Sequence, residues 1–240
     1  MADAPPRTLA DVLAGGHGPV PVGDHPDLLP RLRGDLDAAA RAAASVAGWT
    51  EDSPLRLTKA VVTWLLRCPR RALAPPERGV SDDVVGGLVV DAAAKVATLV
   101  PQRRATVEAA LAYLAATGDT DVADHLEALA EGPRLALLDD IAARVARLVA
   151  GWPAIDPAWW PRVEEPGRVR LAGGAVTVGG RLDLAFGGPP TARPAVAVEV
   201  KGGRWYDGMR ADAHLYALLV ALRDGRVPAA AVTVVADGTT

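Results

Sequence analysis

The chain reads as a mixed α/β protein with a helical first half and a small sheet in its second half. Three observations predict this class. Apolar residues recur at helical spacing from residue 27 to about residue 150. From Arg168 the period changes to two: Val169 and Leu171, Val176 and Val178, then Leu182, Leu184 and Phe186 alternate with polar or small residues. Gly and Pro cluster between these runs as turn punctuation. The expected architecture is a central mixed sheet built from residues after about 168 and flanked by helices.

Residues 1–26 are rich in Pro, Gly and Asp and read as a flexible N-terminal arm with room for one helical turn near Leu9 to Leu13. Leu28, Leu29, Leu32 and Leu36 then predict an amphipathic helix ending at Gly48-Trp49. Ser53-Pro54 has the form of a helix start, with Ser as cap and Pro at the first position. That helix is expected to run through Leu57, Val61, Trp64 and Leu65 to Cys68-Pro69. Residues 80–100 predict another helix, and residues 101–150 three more, broken at Gly118 and at Gly132-Pro133. Residues 151–166, with Trp152, Trp159, Trp160 and several Pro, read as an irregular connector. A hairpin follows, turning at Gly173-Gly174, and Gly179-Gly180 leads into Arg181–Phe186, with room for a bulge. Residues 207–223 predict a helix with Leu215, Leu218, Leu219 and Leu222 inward, and residues 229–235 a last strand. The expected division is an arm (1–26), a helical region (27–166) and a sheet-bearing core (167–240). The helices carry wide apolar faces with little else to cover them, so they are expected to pack on the core.

Composition narrows the function. The net charge is -3 and the pI about 5.8, so no basic coat for nucleic acid is present and such binding needs a local arginine surface. A single cysteine excludes an internal disulfide and points to a reducing compartment. It also excludes an iron–sulfur cluster on four cysteines. The first residues lack the basic-then-apolar pattern of a secretory signal, and no apolar run approaches membrane-spanning length. The expectation is a cytoplasmic protein with no membrane partner. No phosphate-loop motif is present, so an ATP-driven step requires a partner.

The chemistry-bearing residues are Asp183 in one predicted strand and Glu199 and Lys201 in the next. Alternation places Asp183 on the face opposite Leu182, Leu184 and Phe186, and Glu199 and Lys201 on one common face. If the strands pair, two carboxylates and an ammonium converge. Close carboxylates repel one another, and a divalent cation relieves the repulsion. A neighbouring lysine can hold a water or stabilise developing negative charge.

The pattern Gly180-x-x-Asp183, then Glu199-x-Lys201 followed by Gly202-Gly203, then Asp212-x-x-x-Tyr216, resembles the PD-(D/E)xK nuclease superfamily, in particular its RecB-like branch. Cys68-Pro69 at a helix end with Arg67, Arg70 and Arg71 nearby resembles a second, upstream feature of that branch. Gly87-x-x-x-Asp91 has the spacing of a third, with Asp where the branch has a metal-binding His. Asp212 stands where the branch has Gln. The resemblance implies a restriction-endonuclease-like core of helix, three strands, helix and strand. It further implies metal-dependent hydrolysis of DNA, single- or double-stranded, in repair, recombination or defence against foreign DNA. Mg²⁺ or Mn²⁺ would be held by Asp183, Glu199 and the backbone carbonyl of Val200, with Asp91 completing the shell. Lys201 would act on the attacking water and the phosphate, and Tyr216 and Asp212 would orient Lys201 or touch DNA. Arg67, Arg70, Arg71, Arg204 and Arg210 are the expected nucleic-acid contacts. The first three would serve equally to complement a helix C-terminus, and Asp91 to pair with Lys95 on a solvated helix face. The other function class is a catalytically inactive nucleic-acid-binding or interaction subunit that keeps the fold, docked to a helicase or defence complex.

Overall fold

Two kinds of apolar surface need burial in this chain: the stripes of the first-half helices and the alternating sides of the second-half strands. Each covers the other. The computed structural model describes residues 8–16, 27–67, 80–100, 105–206 and 208–236. After a short helical segment at residues 9–16 come α1 (Leu28–Ala47), β1 (Leu55–Thr58), α2 (Lys59–Arg67) and α3 (Asp82–Leu99). Then follow α4 (Val107–Thr117), α5 (Asp121–Ala128), α6 (Glu131–Ala150), β2 (Arg162–Leu171) and β3 (Val176–Phe186). The chain ends with β4 (Val196–Lys201), α7 (Gly208–Asp224) and β5 (Ala230–Val235). Cys68, Arg70, Arg71 and the side chain of Arg67 lie outside the described residues.

The strands form one mixed five-stranded sheet. β2 and β3 make a long antiparallel hairpin, from Arg162↔Ala185 to Leu171↔Val176. Its turn runs through Ala172, Gly173 and Gly174, all at positive φ, where glycine is at ease. The other edge of β3 is shared. β1 lies parallel to residues 176–179 and β4 antiparallel to residues 184–186, which leaves residues 180–183 between them. β5 is parallel to β4, joined to it through α7.

Helices cover both faces. α3 lies over β4 with α4 and α6 behind it, and its Val85, Val89 and Val90 pack with Leu184, Phe186, Val196, Val198 and Val200. On the opposite face α7 packs across β2, β4 and β5, and its Tyr216, Leu219 and Leu222 meet Val169, Leu171, Val176, Leu182 and Ala40 of α1. α3 is apolar nearly all round, as suits a helix enclosed by neighbours on all sides. Ser81 caps it by accepting from the Val84 N–H. Among the described residues no helix is long and apolar enough to cross a membrane.

Four sequence expectations are corrected. Residues after Ser53-Pro54 begin as strand β1, and the helix starts only at Lys59; Leu55 and Leu57 fit the alternation of a half-covered strand as well as a helical stripe. The connector at residues 151–166 ends at Pro161, because Arg162 already pairs with Ala185. β3 runs unbroken through Gly179-Gly180. Finally, Leu182 and Leu184 do not share a face: Leu182 joins the α7-side core, and Leu184 and Phe186 the α3-side core. The alternation is interrupted at Asp183 itself.

α3 reaches the sheet closely because two glycines meet there. A Cβ on Gly202 would stand 2.5 Å from the Cα of Gly87, and backbone cannot swing aside as a side chain can. Gly202→Ala is expected to destabilise by about 1–3 kcal/mol, lowering the melting temperature by several degrees. Gly203→Ala, with nothing within 4 Å of its Cβ, is expected to be near neutral. Thermal unfolding of the two variants beside the parent checks this.

Candidate active site

β3 and β4 pair only at Leu184↔Val198, Ala185↔Ala197 and Phe186↔Val196. One further step of that register would set Asp183 opposite Glu199, and there the strands part. Parting strands leave backbone groups that need other partners. The Val200 N–H donates to Oδ2 of Asp183 at 2.7 Å. The Arg181 carbonyl accepts from the Tyr216 hydroxyl at 2.7 Å. Two of the site side chains therefore replace ladder bonds and hold a fork open in the sheet.

Glu199 lies on the α7 side of the fork and is only 3% exposed. Its Oε1 accepts from both Lys59 and Lys201, while its buried Oε2 has no hydrogen-bond partner. Lys59, the first residue of α2, also lies 3.7 Å from Oδ2 of Asp212 and 5.1 Å from the centre of the Tyr216 ring. Oδ1 of Asp212 accepts from the Thr63 hydroxyl at 2.9 Å. Asp212 and Tyr216, one turn apart on α7, thus lie against Lys59; Asp212 acts on Lys201 through its charge.

On the α3 side, Lys95 is 4% exposed and bridges Asp91 and Glu164. The Asp91–Lys95 pair is therefore real but buried, not on a solvated face. Oδ1 of Asp91 is buried without a partner. Glu164 also pairs with Arg181. It sits in β2 between Val163↔Leu184 and Glu165↔Leu182, hence across from Asp183, and takes a left-handed φ of 54°. A side chain there strains the backbone by roughly 1–3 kcal/mol, a kind of strain that gathers at functional sites.

The electrostatics follow from enclosure. Burial foremost, then the charges of Asp91 and Glu199, pushes the Asp183 carboxyl up to about 8, against the Val200 N–H and Lys95. Burial likewise raises Asp91, even though Lys95 pulls it down. Burial depresses the Lys201 and Lys95 ammonium groups, but Glu199 and Asp91 with their neighbours more than offset it, so both stand above the usual lysine value.

Of the remaining expected residues, Arg204 and Arg210 are exposed, and neither bonds to the cluster. Arg204 lines a separate cavity of about 710 Å³ with Arg144, Arg147, Asp83 and Asp140. Val200 enters through its peptide, against Asp183.

Sequence reasoning missed Lys59, Glu164 and Thr63, and took Lys95 only as a solvated partner of Asp91. One signal could have pointed to both lysines. Of 26 basic residues only Lys59, Lys95 and Lys201 are lysines. The fold brings all three into one cluster with Asp91, Glu164, Asp183, Glu199 and Asp212. Everywhere else this chain uses arginine. Lysine is a compact ammonium whose protonation responds to burial, and arginine is neither.

The fit to a hard divalent cation can be tested on these atoms. All available donors are oxygens, as Mg²⁺ and Mn²⁺ prefer. Asp91 and Glu199 each keep one buried oxygen unpartnered, and three ammonium groups face five carboxylates. Among the described residues no three His, Cys, Asp or Glu side chains already converge as a ligand set; Asp91 and Glu199 each give their other oxygen to lysines. The donor chemistry fits, and side-chain rotation from lysine toward a cation is what binding would require.

A carboxyl at about 8 in the fold against 3.8 free binds more protons folded than unfolded between those values. Its contribution to stability is thus largest at low pH and is lost as pH rises through about 8. Asp183→Asn can keep the Val200 bond through its amide oxygen and carries no charge. In metal-free buffer the variant is expected to melt a few degrees above the parent at pH 8, with the gap closing toward pH 5. Thermal unfolding across that range in EDTA checks this. Comparison with protein-family models, with curated proteins and with solved structures gave no match to this chain.

Proposed function

We infer that the chain is a metal-dependent nuclease of the PD-(D/E)xK type that hydrolyses DNA phosphodiester bonds. The observation that carries this reading is the convergence of all three lysines on the carboxylates at the strand fork. The element order supports it: with α4 to α6 set between α3 and β2, the sequence α3, β2, β3, β4, α7, β5 has the helix, three strands, helix and strand of a restriction-endonuclease-like core. So does the fork itself, which delivers Asp183 and Glu199 from neighbouring strands.

In this reading Asp183, Glu199 and Asp91 hold Mg²⁺ or Mn²⁺, with the Val200 peptide beside them. The bound cation supplies charge neutralisation at the phosphate and a water of lowered pKa. Lys201, released from Glu199, places its ammonium against the water or the phosphate oxygens. Lys59 holds Glu199 in place, and Lys95 does the same for Asp91 and Glu164. Tyr216 maintains the fork, and a neutral phenol suits that task, since burial and the surrounding carboxylates push its ionisation far upward.

Lys201→Ala is expected to fold normally, because Lys59 still satisfies Glu199. It should cut labelled DNA about 100- to 1,000-fold more slowly with Mg²⁺ or Mn²⁺. Cation binding should stabilise parent and Lys201→Ala alike, by about 2.7 kcal/mol at a hundred times the dissociation constant, and should be lost in Glu199→Gln. Equal cutting by parent and Lys201→Ala overturns this site. Binding of DNA by both with cleavage by neither makes the chain a binding module instead.

A further inference from the structure

Among the described residues, the helical cover over the α3-side face of the sheet does not extend to the start of β3. There β1, β3 and β2 run side by side, and their other face is closed by the core around Val169, Leu171 and Val176. The strand register decides what the open face carries. Arg170 pairs with Thr177, and Thr177 with Arg56; Arg168 pairs with Gly179, and Gly179 with Thr58; Arg181 pairs with Pro166. Alternation puts these residues on the face opposite Val169, Leu171, Leu55 and Leu57. The outcome is a groove of about 600 Å³ whose lining includes Arg56, Arg168, Arg170 and Arg181, with Glu51 the one acid among its described residues.

The groove has banks and a floor. Arg56 stands on one bank and Arg168 and Arg170 on the other, with Thr177 and Gly179 between them. Outer strands two spacings apart are about 10 Å apart, which admits one backbone between the banks but not a duplex, whose major groove alone is roughly 12 Å wide. Successive rows repeat about every 7 Å along the strands, close to the step between phosphates in an extended single strand. Gly174, at φ 101°, leaves the place that Arg170 occupies: a Cβ there would stand 2.5 Å from the guanidinium. Arg170 pairs with Glu51 and Arg181 with Glu164, but Arg56 and Arg168 have no ion pair among the described residues and are exposed. Two unpaired cations on opposite banks, in a chain of net charge -3, call for an anionic occupant. Arg181 closes the last row before the fork and shares Glu164 with Lys95, so the groove leads directly into the cluster.

We propose that this groove binds one strand of nucleic acid along its backbone and feeds it to the fork. The assignment rests on the nuclease reading for what happens at the fork, though not for the binding itself. It also moves the contact surface away from Arg204 and Arg210 to Arg56, Arg168, Arg170 and Arg181.

The test is binding of a fluorescein-labelled oligothymidylate and of a matched duplex by anisotropy over a salt series, in the non-cleaving Asp183→Asn background. Arg56→Ala/Arg168→Ala in that background is expected to weaken single-strand binding by about tenfold or more. Its salt slope should fall by roughly 0.7 for each arginine removed. Arg134→Ala/Arg226→Ala, an equal charge change outside the groove, should leave both unchanged. Unchanged affinity and slope in Arg56→Ala/Arg168→Ala, an equal loss in the control pair, or a parent that prefers the duplex each overturns the groove. Cleavage by the wild-type chain with Mn²⁺ is scored separately. Cleavage together with an unaffected groove variant leaves the nuclease reading and removes the groove. Groove-dependent binding without cleavage does the reverse.

Discussion

The hydrogen bond from the Val200 N–H to Asp183 is the constraint on which the rest of the site depends. A β-ladder continues as long as backbone groups find backbone partners, and it stops where something better or equal intervenes. Here a carboxylate takes the place of a strand carbonyl, and a tyrosine hydroxyl takes the place of a strand amide at Arg181. Because both replacements come from side chains, the Val200 amide and the Arg181 carbonyl stay bonded where the sheet opens. The opening is what lets Lys59 reach Glu199 from one face and lets Asp91 and Lys95 approach Asp183 from the other.

Once open, the fork has to hold several carboxylates out of water. Isolated, each would take up a proton or drive the strands further apart. The chain answers with ammonium groups, and it answers unequally. Glu199 receives two lysines, Asp91 and Glu164 share one, and Asp183 has only a backbone amide. The residue with no ammonium bonded to it has its carboxyl pushed well above the usual carboxylate range. A buried group left under-compensated in this way is more typical of chemistry than of stability.

Much of the fold was legible because it rests on periodicity. The change of period near Arg168 marked the sheet, and the apolar run of α3 marked a buried helix. Strand β1 was not legible: Leu55-Arg56-Leu57-Thr58 is too short to separate from the helix behind it, and only the exposed edge of β3 makes it a strand. The turn of Leu182 away from Leu184 was hidden for a related reason, since alternation presumes a regular strand and Glu164 breaks regularity from the neighbouring one. Within the site, Asp183, Glu199 and Lys201 stood out by spacing. Lys59 and Glu164 come from elsewhere in the chain and carry no local pattern; only the rarity of lysine in the composition pointed toward Lys59 and Lys95. Arg168 and Arg170 fall at polar positions of an alternating strand and Arg56 within an expected helix, and it took the register to line them up.

The parallel docking of β1 against β3 has a consequence for how the protein comes into being. Lys59 meets Glu199 across 140 residues of chain, and Lys95 meets Glu164 across 69. Contacts between such distant points are paid for in loop entropy before they return anything, so they form late. During synthesis the acidic half of the cluster emerges after the lysines of the first half, and charge balance is reached only when both ends of the chain have met. Assembly of the site and completion of the fold are therefore one event: a partly made chain carries neither the full set of carboxylates nor the geometry that brings them together.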